Sequence, residues 1–264
     1  MLVLLPPSEG KAAAGTGAPL KLRSLSLPEL NPAREQVLDA LVELSGGDPD
    51  RAGEVLGLSP GLRGELARNT ALRTAGALPA GELYTGVLYD ALELSTLGPD
   101  AQARAVRSLL VFSGLWGAVR ITDRIPPYRC SGGVKLPPLG PLGTFWRAQT
   151  AAVLPEVAGR GLVLDLRSTA YAGLWRPAGA VAGRTATVRV LHEREVGGVL
   201  KRTVVSHFNK ATKGRIVRAL LEAGAEPESP AELAVALRDL KYTVDSVPPA
   251  AGKPWALDVV VTEL

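Results

Sequence analysis

The sequence predicts a mixed α/β fold, with one sheet flanked by helices in a single domain spanning residues 1–264. Three observations carry that reading. Short apolar runs at residues 2–5, 109–112 and 161–168 suit strands buried on both faces. Amphipathic helical patterns separate these runs, so helix, strand and glycine turn follow one another as in α/β chains. The last third adds β-branched stretches at 181–192, 199–208 and 255–261, and neither a repeat nor a linker divides the sequence.

Taken in order, residues 2–5 form the first strand, and the following Pro6-Pro-Ser-Glu-Gly-Lys11 turn carries Lys11 to the carboxyl edge of the sheet. Open α/β sheets bind ligands at that edge. A lysine after a glycine is also an ordinary solvated loop residue. Residues 12–28 have turn composition and little periodicity, which predicts a long loop. Asn31-Pro32 then opens a helix, with Asn31 as cap and Val37, Leu38, Leu41, Val42 and Leu44 on one face, and Gly46-Gly47 stops it.

A short helix over 50–56 with Gly57 as its cap, and a restart at Ser59-Pro60 running to about Asn69, have two readings. One is a helix-hairpin-helix element at about 50–69, which holds phosphate on its hairpin amides. Pro60-Gly61-Leu62-Arg63-Gly64 has one residue too many between its glycines for that pattern. The other is a helical pair that caps the core.

Tyr84-Thr85-Gly86 precedes an apolar helical face at Val87, Leu88, Ala91, Leu92 and Leu94. Gly98-Pro99-Asp100 starts a further helix to about Arg107, which feeds the apolar run ending at Phe112. That run opens the stretch 112–129, FSGLWGAVRITDRIPPYR, on which the site reading centres. Its glycines allow backbone amides to approach a ligand, and Arg120, Arg124 and Arg129, with Asp123, supply donors and charge for an oxyanion. A salt-bridged surface loop around a core tryptophan is the bland alternative.

Past it come irregular chain at 131–141, a helix from Gly143 to about Val157, the strand at 161–168, and an antiparallel hairpin of 181–192 with 199–208 joined by Gly197-Gly198. Lys210, Lys213 and Arg215 then fall at the start of a helix whose apolar face is Ile216, Val217, Leu220 and Leu221. Cations beside free N-terminal amides make an anion site. A last helix at 230–240 and a strand at 255–261 close the chain.

Composition bounds the function. With 46% hydrophobic and 21% charged residues the chain is globular, and the 29 glycines and 21 prolines imply many turns. A formal charge of +4 and a pI of about 9.3 admit an anionic partner without requiring one. A single cysteine, Cys130, excludes an intramolecular disulfide and fits a reducing cytoplasm. Arg129 beside it could lower the thiol pKa, although a lone cysteine is more often a small packed residue. The first residues lack a basic segment and break at Pro6, so neither a signal peptide nor a membrane span is expected. With 2 histidines and no cysteine or histidine pair at ligand spacing, no metal and no cofactor is expected.

One family shows the same landmarks in the same order: Lys11, Tyr84-Thr85-Gly86, Ser113-Gly-Leu-Trp-Gly117 with Arg120, Asp123 and Pro127-Tyr128-Arg129, Phe145-Trp146, Leu166 with Ser168 and Tyr171, and Lys210 with Lys213-Gly214. Nearly end to end, the sequence resembles the peroxide-stress protein YaaA family. The resemblance implies a cytosolic, cannonball-like α/β fold with a basic cleft and a helix-hairpin-helix element. It implies a role in limiting oxidative DNA damage and free iron, with binding to duplex, bubble and junction DNA. Lys11, Arg120, Arg129, Lys210 and Lys213 are the positions carried to the cleft by the resemblance, and Arg124 and Arg215 join them by local chemistry. Where family members often have an acidic pair and then a lysine after the serine, this chain has Thr169-Ala170 and Gly173.

Two functions fit these residues. A DNA-binding protective protein would grip phosphates with structure preference and little sequence reading, since only 5% of residues are aromatic. An enzyme acting on a small anionic ligand, a nucleotide or carboxylate, would bind it with Arg120 and Arg129, with Asp165 and Ser168 also at strand ends. Asp123 or Tyr171 would move a proton, and Lys11 would stabilise negative charge. Asp123 also suits simple orientation of an arginine. Direct iron binding has no carboxylate cluster behind it.

Overall fold

The structure is a computed structural model that describes residues 1–196, 199–204, 206–250 and 252–262. Its centre is an eight-stranded sheet. The strands are β1 (Leu2–Leu5), β2 (Leu109–Ser113), β3 (Gly117–Arg120), β4 (Val163–Asp165), β5 (Thr185–Val196), β6 (Val199–Val204), β7 (Thr243–Val247) and β8 (Trp255–Val261). Their order is β7-β8-β5-β4-β1-β2-β3, with β6 against β5. Ladders β1/β2, β1/β4, β4/β5 and β5/β8 are parallel, while β3, β6 and β7 attach antiparallel. The continuous apolar runs are therefore the inner parallel strands, and every residue of β1, β2 and β4 is buried.

Register fixes where the chemistry can lie. Leu5 pairs with Val111 and Leu4 with Asp165, so β1, β2 and β4 end together at one edge. β5 is long enough to pair with β4 near its start and with β6 from Leu191 onward, where β6 takes the side β4 has left.

Among the described residues the longer helices around the sheet are α1 (Asn31–Gly46), α2 (Pro49–Leu56), α3 (Glu65–Thr70), α4 (Val87–Leu92), α5 (Pro99–Ser108), α6 (Leu142–Val157), α7 (Ser206–Glu222) and α8 (Pro230–Asp239); several single-turn helices lie between them. α7 crosses α4 closely at Gly214, where a Cβ would stand 2.2 Å from the Leu88 carbonyl oxygen. Only glycine permits that approach. The β2–β3 turn depends on Gly117 in the same way: its φ is 71°, and a Cβ would meet the Trp146 ring at 2.7 Å.

Several elements differ from the sequence expectation. Asn31 is the first helical residue of α1 and not its cap, because a 3-10 turn at Pro28–Leu30 leads directly into the helix. Residues 181–183 are helical, within Gly179–Gly183, and β5 starts at Thr185. α7 starts at Ser206, so 206–208 belong to it and not to a strand. Gly197-Gly198 lie outside the described residues. β7 was not anticipated, since its five residues include Asp245 and Ser246 beside two valines and a threonine. The 50–69 region is α2, closed by Gly57 at φ 65°, then a 3-10 turn at Pro60–Leu62 and α3. This is a helical pair packed on α1, with Arg63 at the turn ion-paired to Asp50. Among the described residues no helix is long and apolar enough to cross a membrane.

The guanidinium of Arg34 on α1 is fully buried, at 0% exposure, and holds the β2–β3 turn from behind. It donates to the carbonyls of Trp116 (3.1 Å), Ala118 (2.7 Å), Ser26 (2.8 Å) and Leu27 (3.3 Å) and to Asn31 Oδ1 (2.7 Å). Replacing it with methionine keeps much of the volume and strands those carbonyls away from water. Arg34→Met is expected to lower unfolding stability by about 3 kcal/mol or more. Urea titration should show a lower midpoint at unchanged slope, and a loss below about 1 kcal/mol would remove Arg34 from its place in the fold.

Candidate functional site

The loop after β1 reaches the shared carboxyl edge and is pinned there by backbone. Tyr89 Oη donates to the Pro6 carbonyl at 2.7 Å, Ala12 N to Leu83 O at 2.9 Å, and Lys11 forms an antiparallel bridge with Tyr84. Lys11 thereby leaves the loop half-buried. Its Nζ donates to Ser8 O at 2.8 Å and lies 4.4 Å from the ring centroid of Tyr128 and 5.6 Å from that of Tyr84. Burial pulls its pKa down to about 8; Arg129 acts in the same direction, while Glu9 opposes it.

Ser113, at the end of β2, starts a chain of hydroxyls. Its Oγ accepts from Leu115 N (3.1 Å) and Trp116 N (3.0 Å), lies 2.6 Å from Tyr128 Oη, and Tyr128 Oη lies 2.8 Å from Tyr84 Oη. The two backbone amides fill both acceptor positions of Ser113, so its proton goes to Tyr128 and that of Tyr128 to Tyr84. Among the described residues the proton of Tyr84 then meets no acceptor. Burial holds the Tyr84 and Tyr128 phenols well above the usual tyrosine range, so both stay neutral. Tyr171, on the short helix after β4, is buried and pushed up to about 12 for the same reason.

Arg129 is fixed by its backbone. Asn69 of α3 accepts from its N–H at 2.8 Å and donates to its carbonyl at 2.9 Å, and the guanidinium pairs with Glu9 at 2.9 Å. Sequence reasoning missed Asn69, a fully buried amide whose helical position looks like any other polar one. Lys213 of α7 reaches the same edge, donating to Leu166 O at 3.2 Å just past β4. Burial lowers its pKa, against the pull of Asp165. Asp165 itself is committed to Arg167, which contacts both of its oxygens (2.8 and 2.6 Å), donates to the Tyr171 and Trp175 carbonyls, and lies 4.2 Å over the Phe112 ring. Arg167 also went unnoticed in the sequence.

Lys11, Arg129, Lys213 and Tyr171 are thus brought to one edge, with Ser168 and Lys210 exposed nearby in chain terms, one before the short helix Thr169–Ala172 and one on α7. The remaining sequence candidates stand elsewhere. Arg120 pairs across the ladder with Leu110, whereas Gly117 pairs with Ser113, so Arg120 is at the opposite end of β3. Its guanidinium donates to Arg107 O at 2.9 Å. Asp123 is buried with both oxygens engaged, Oδ1 by Ser26 N (2.9 Å) and Oγ (2.8 Å) and Oδ2 by Arg120 N (2.9 Å). Arg124 donates to Ala77 O at 2.7 Å. Lys210, Lys213 and Arg215 lie in the second and third turns of α7, so the free amides of its first turn do not serve them. Arg215, two residues past Lys213, points about 200° away, and its charge acts on Tyr242. For Cys130, burial outweighs the nearby Lys11 ammonium and pushes the thiol up to about 12.

A groove of about 660 Å³, lined in part by Tyr84, opens between α4 and the Ile121-Thr122 turn. Glu82, Asp90 and Glu93 line it, with Glu93 ion-paired to Arg218 at 3.4 Å, and among the described residues neither lysine nor arginine does. Among the described residues no three histidine, cysteine, aspartate or glutamate side chains converge as metal ligands.

The depressed pKa of Lys11 makes stability depend on pH. Between about 8 and the ordinary 10.5 the unfolded chain holds the lysine proton more tightly than the folded one, so stability rises with pH there. Below 8 both states are protonated and the burial cost is felt in full. Lys11→Met is therefore expected to be more stable than wild type at pH 7, with the gap closing toward pH 10.5. Parallel stability curves in urea across that range would contradict the burial of the ammonium.

A family model described as peroxide stress protein YaaA matches residues 1–247. The chain is 69% identical over its whole length to the full-length UPF0246 protein SCO2297 of Streptomyces coelicolor. It is 45% identical to the UPF0246 protein CE1889 of Corynebacterium efficiens, over 93% of this chain and 95% of that one. A UPF0246 protein of Ruegeria is 34% identical over 71% of this chain and 77% of its own. On this match, spanning the β1 edge, the SGLWG turn and α7 alike, the chain belongs to the peroxide stress protein YaaA family, also named UPF0246.

Proposed function

We propose that the carboxyl edge is a phosphate grip and that the protein acts in peroxide stress by holding the backbone of duplex or distorted DNA. The observation that supports this reading is the meeting at one sheet edge of Lys11, Arg129 and Lys213 from three distant parts of the chain, with Lys210 one turn before Lys213. Among the described residues Arg129 alone of these four is ion-paired, to Glu9, and it keeps 22% side-chain exposure. A phosphate displaces such a carboxylate from a guanidinium without a change of fold. Side chains of this kind read charge and backbone shape rather than base edges, so structure preference follows and sequence preference does not. Arg120, Arg124 and Arg215 have no part in this grip.

A second reading, an enzyme for a small anionic substrate at the same edge, is favoured by the half-buried amine of Lys11 beside the neutral hydroxyl chain. Asp123 drops out of that reading, since both of its oxygens are occupied.

The DNA reading is tested by titrating a labelled bubble and a matched straight duplex across a salt series. Wild type should show a steep salt slope and favour the bubble. The Arg129→Ala, Lys213→Ala double variant should lose about 2 from the slope, near 0.9 for each phosphate contact on duplex. If wild type binds neither DNA at low salt, the DNA reading is wrong.

A further inference from the structure

We propose that Lys11 is a reactive amine that condenses with the carbonyl carbon of a small anionic aldehyde, so that the phosphate-gripping edge is also an imine-forming site. The proposal rests on the anion-binding reading only for what steers the aldehyde to the amine; the reactivity of Lys11 stands on its own surroundings.

Those surroundings are unusual for a surface lysine. Its Nζ has one hydrogen bond, to the Ser8 carbonyl, and no ion pair among the described residues. The nearby carboxylate that would neutralise it, Glu9, is turned to Arg129. Two aromatic rings wall the amine, at 4.4 and 5.6 Å from their centroids, and keep bulk water from surrounding it. The groups that act on it electrostatically are Glu9, Arg129, Cys130 and Glu65 of α3, and the Tyr84 and Tyr128 phenols are neutral. The aromatic faces favour the ammonium, while desolvation and Arg129 disfavour it. With a pKa of about 8, about a tenth of the amine is uncharged at pH 7, roughly three hundred times the fraction for an unperturbed lysine. Burial thus supplies nucleophile at neutral pH, the usual way a lysine becomes a carbonyl reagent.

The chemistry needs no oxidant or cofactor. The nitrogen lone pair attacks the carbonyl carbon, a C–N bond forms, and the former carbonyl oxygen takes a proton to give the carbinolamine. Loss of that oxygen as water, with the remaining amine proton leaving nitrogen, gives the imine. Amine and aldehyde therefore yield imine and one water. An aldehyde carrying phosphate or carboxylate would rest its charge on Arg129, whose backbone is clamped by Asn69.

The test uses pyridoxal phosphate purely as an anionic aldehyde reagent, with borohydride to reduce the imine to a stable amine, and peptide mapping to compare sites. Lys11 should be modified at least about tenfold faster than the exposed Lys21 and Lys135 at pH 7. Its rate should level off above pH 8 while theirs keep climbing. Lys11→Arg, which keeps the charge, should abolish that label while retaining the wild-type circular dichroism spectrum. Pyridoxal, which lacks the phosphate, should react more slowly at Lys11, and Arg129→Ala should erase that difference. Modification of Lys11 at the rate of Lys21, or a rate that climbs without a plateau to pH 10, would overturn the proposal. Equal rates for pyridoxal and its phosphate in wild type, with Lys11 still the fast site, would uphold the amine and count against the grip.

Discussion

A single buried guanidinium, that of Arg34, sets the turn from which the rest of the site is built. It draws together the carbonyls of Trp116 and Ala118 on either side of Gly117 and those of Ser26 and Leu27 from the preceding loop. Burial lowers its pKa to about 10, well above neutrality, so it is a permanent cation compensated by carbonyl dipoles and by Asp123 at longer range. Trp146 closes the other side of the turn, its indole donating to Gly114 O at 2.8 Å while its ring fills the space Gly117 leaves. With the turn held from both sides, the Leu115 and Trp116 amides point at Ser113 and give the hydroxyl chain its direction.

The same network explains why the stretch 112–129 has two ends with different work. At one end, Asp123 binds Ser26, and Ser26 in turn offers its carbonyl to Arg34, so Asp123, Arg120 and Arg34 belong to one load path through the β3 end of the sheet. At the other end, Tyr128 and Arg129 return to the carboxyl edge, where they meet Lys11 and Glu9. Residues nine positions apart in sequence are thus separated by the length of β3 and a loop. Closeness in sequence brought Arg120, Asp123, Arg124 and Arg129 into one candidate set; the antiparallel register of β2 with β3 divides it.

What the sequence made legible follows from the same physics. Inner strands must be apolar on both faces, and that signature marked β1, β2 and β4 and so located the edge and Lys11. Gly214 was visible as part of a Lys-Gly motif, although its reason, the backbone of α4 at 2.2 Å from any Cβ, lies wholly in tertiary packing. Arg34, Asn69 and Arg167 were invisible because a buried polar side chain is recognised by its partners, and those partners lie 82, 60 and 2 to 8 residues away. The start of α7 was missed because 199–208 has β-branched composition through residue 205 and no proline or glycine to mark the change from strand to helix.

Charge is also organised at a scale that composition hides. A formal charge of +4 over 264 residues says little, yet Tyr84 is shared by two unlike surroundings, Lys11 with Arg129 and Glu9, and a groove lined by three carboxylates. Its hydroxyl belongs to the Ser113–Tyr128–Tyr84 chain, and the residue also lines the groove carrying Glu82, Asp90 and Glu93. Among the described residues Lys11 is not part of the lining of that groove. The separation also keeps those carboxylates from pairing with Lys11. Walled by rings and beside Arg129, with Glu9 turned to that guanidinium, the lysine is held partly discharged by burial above all.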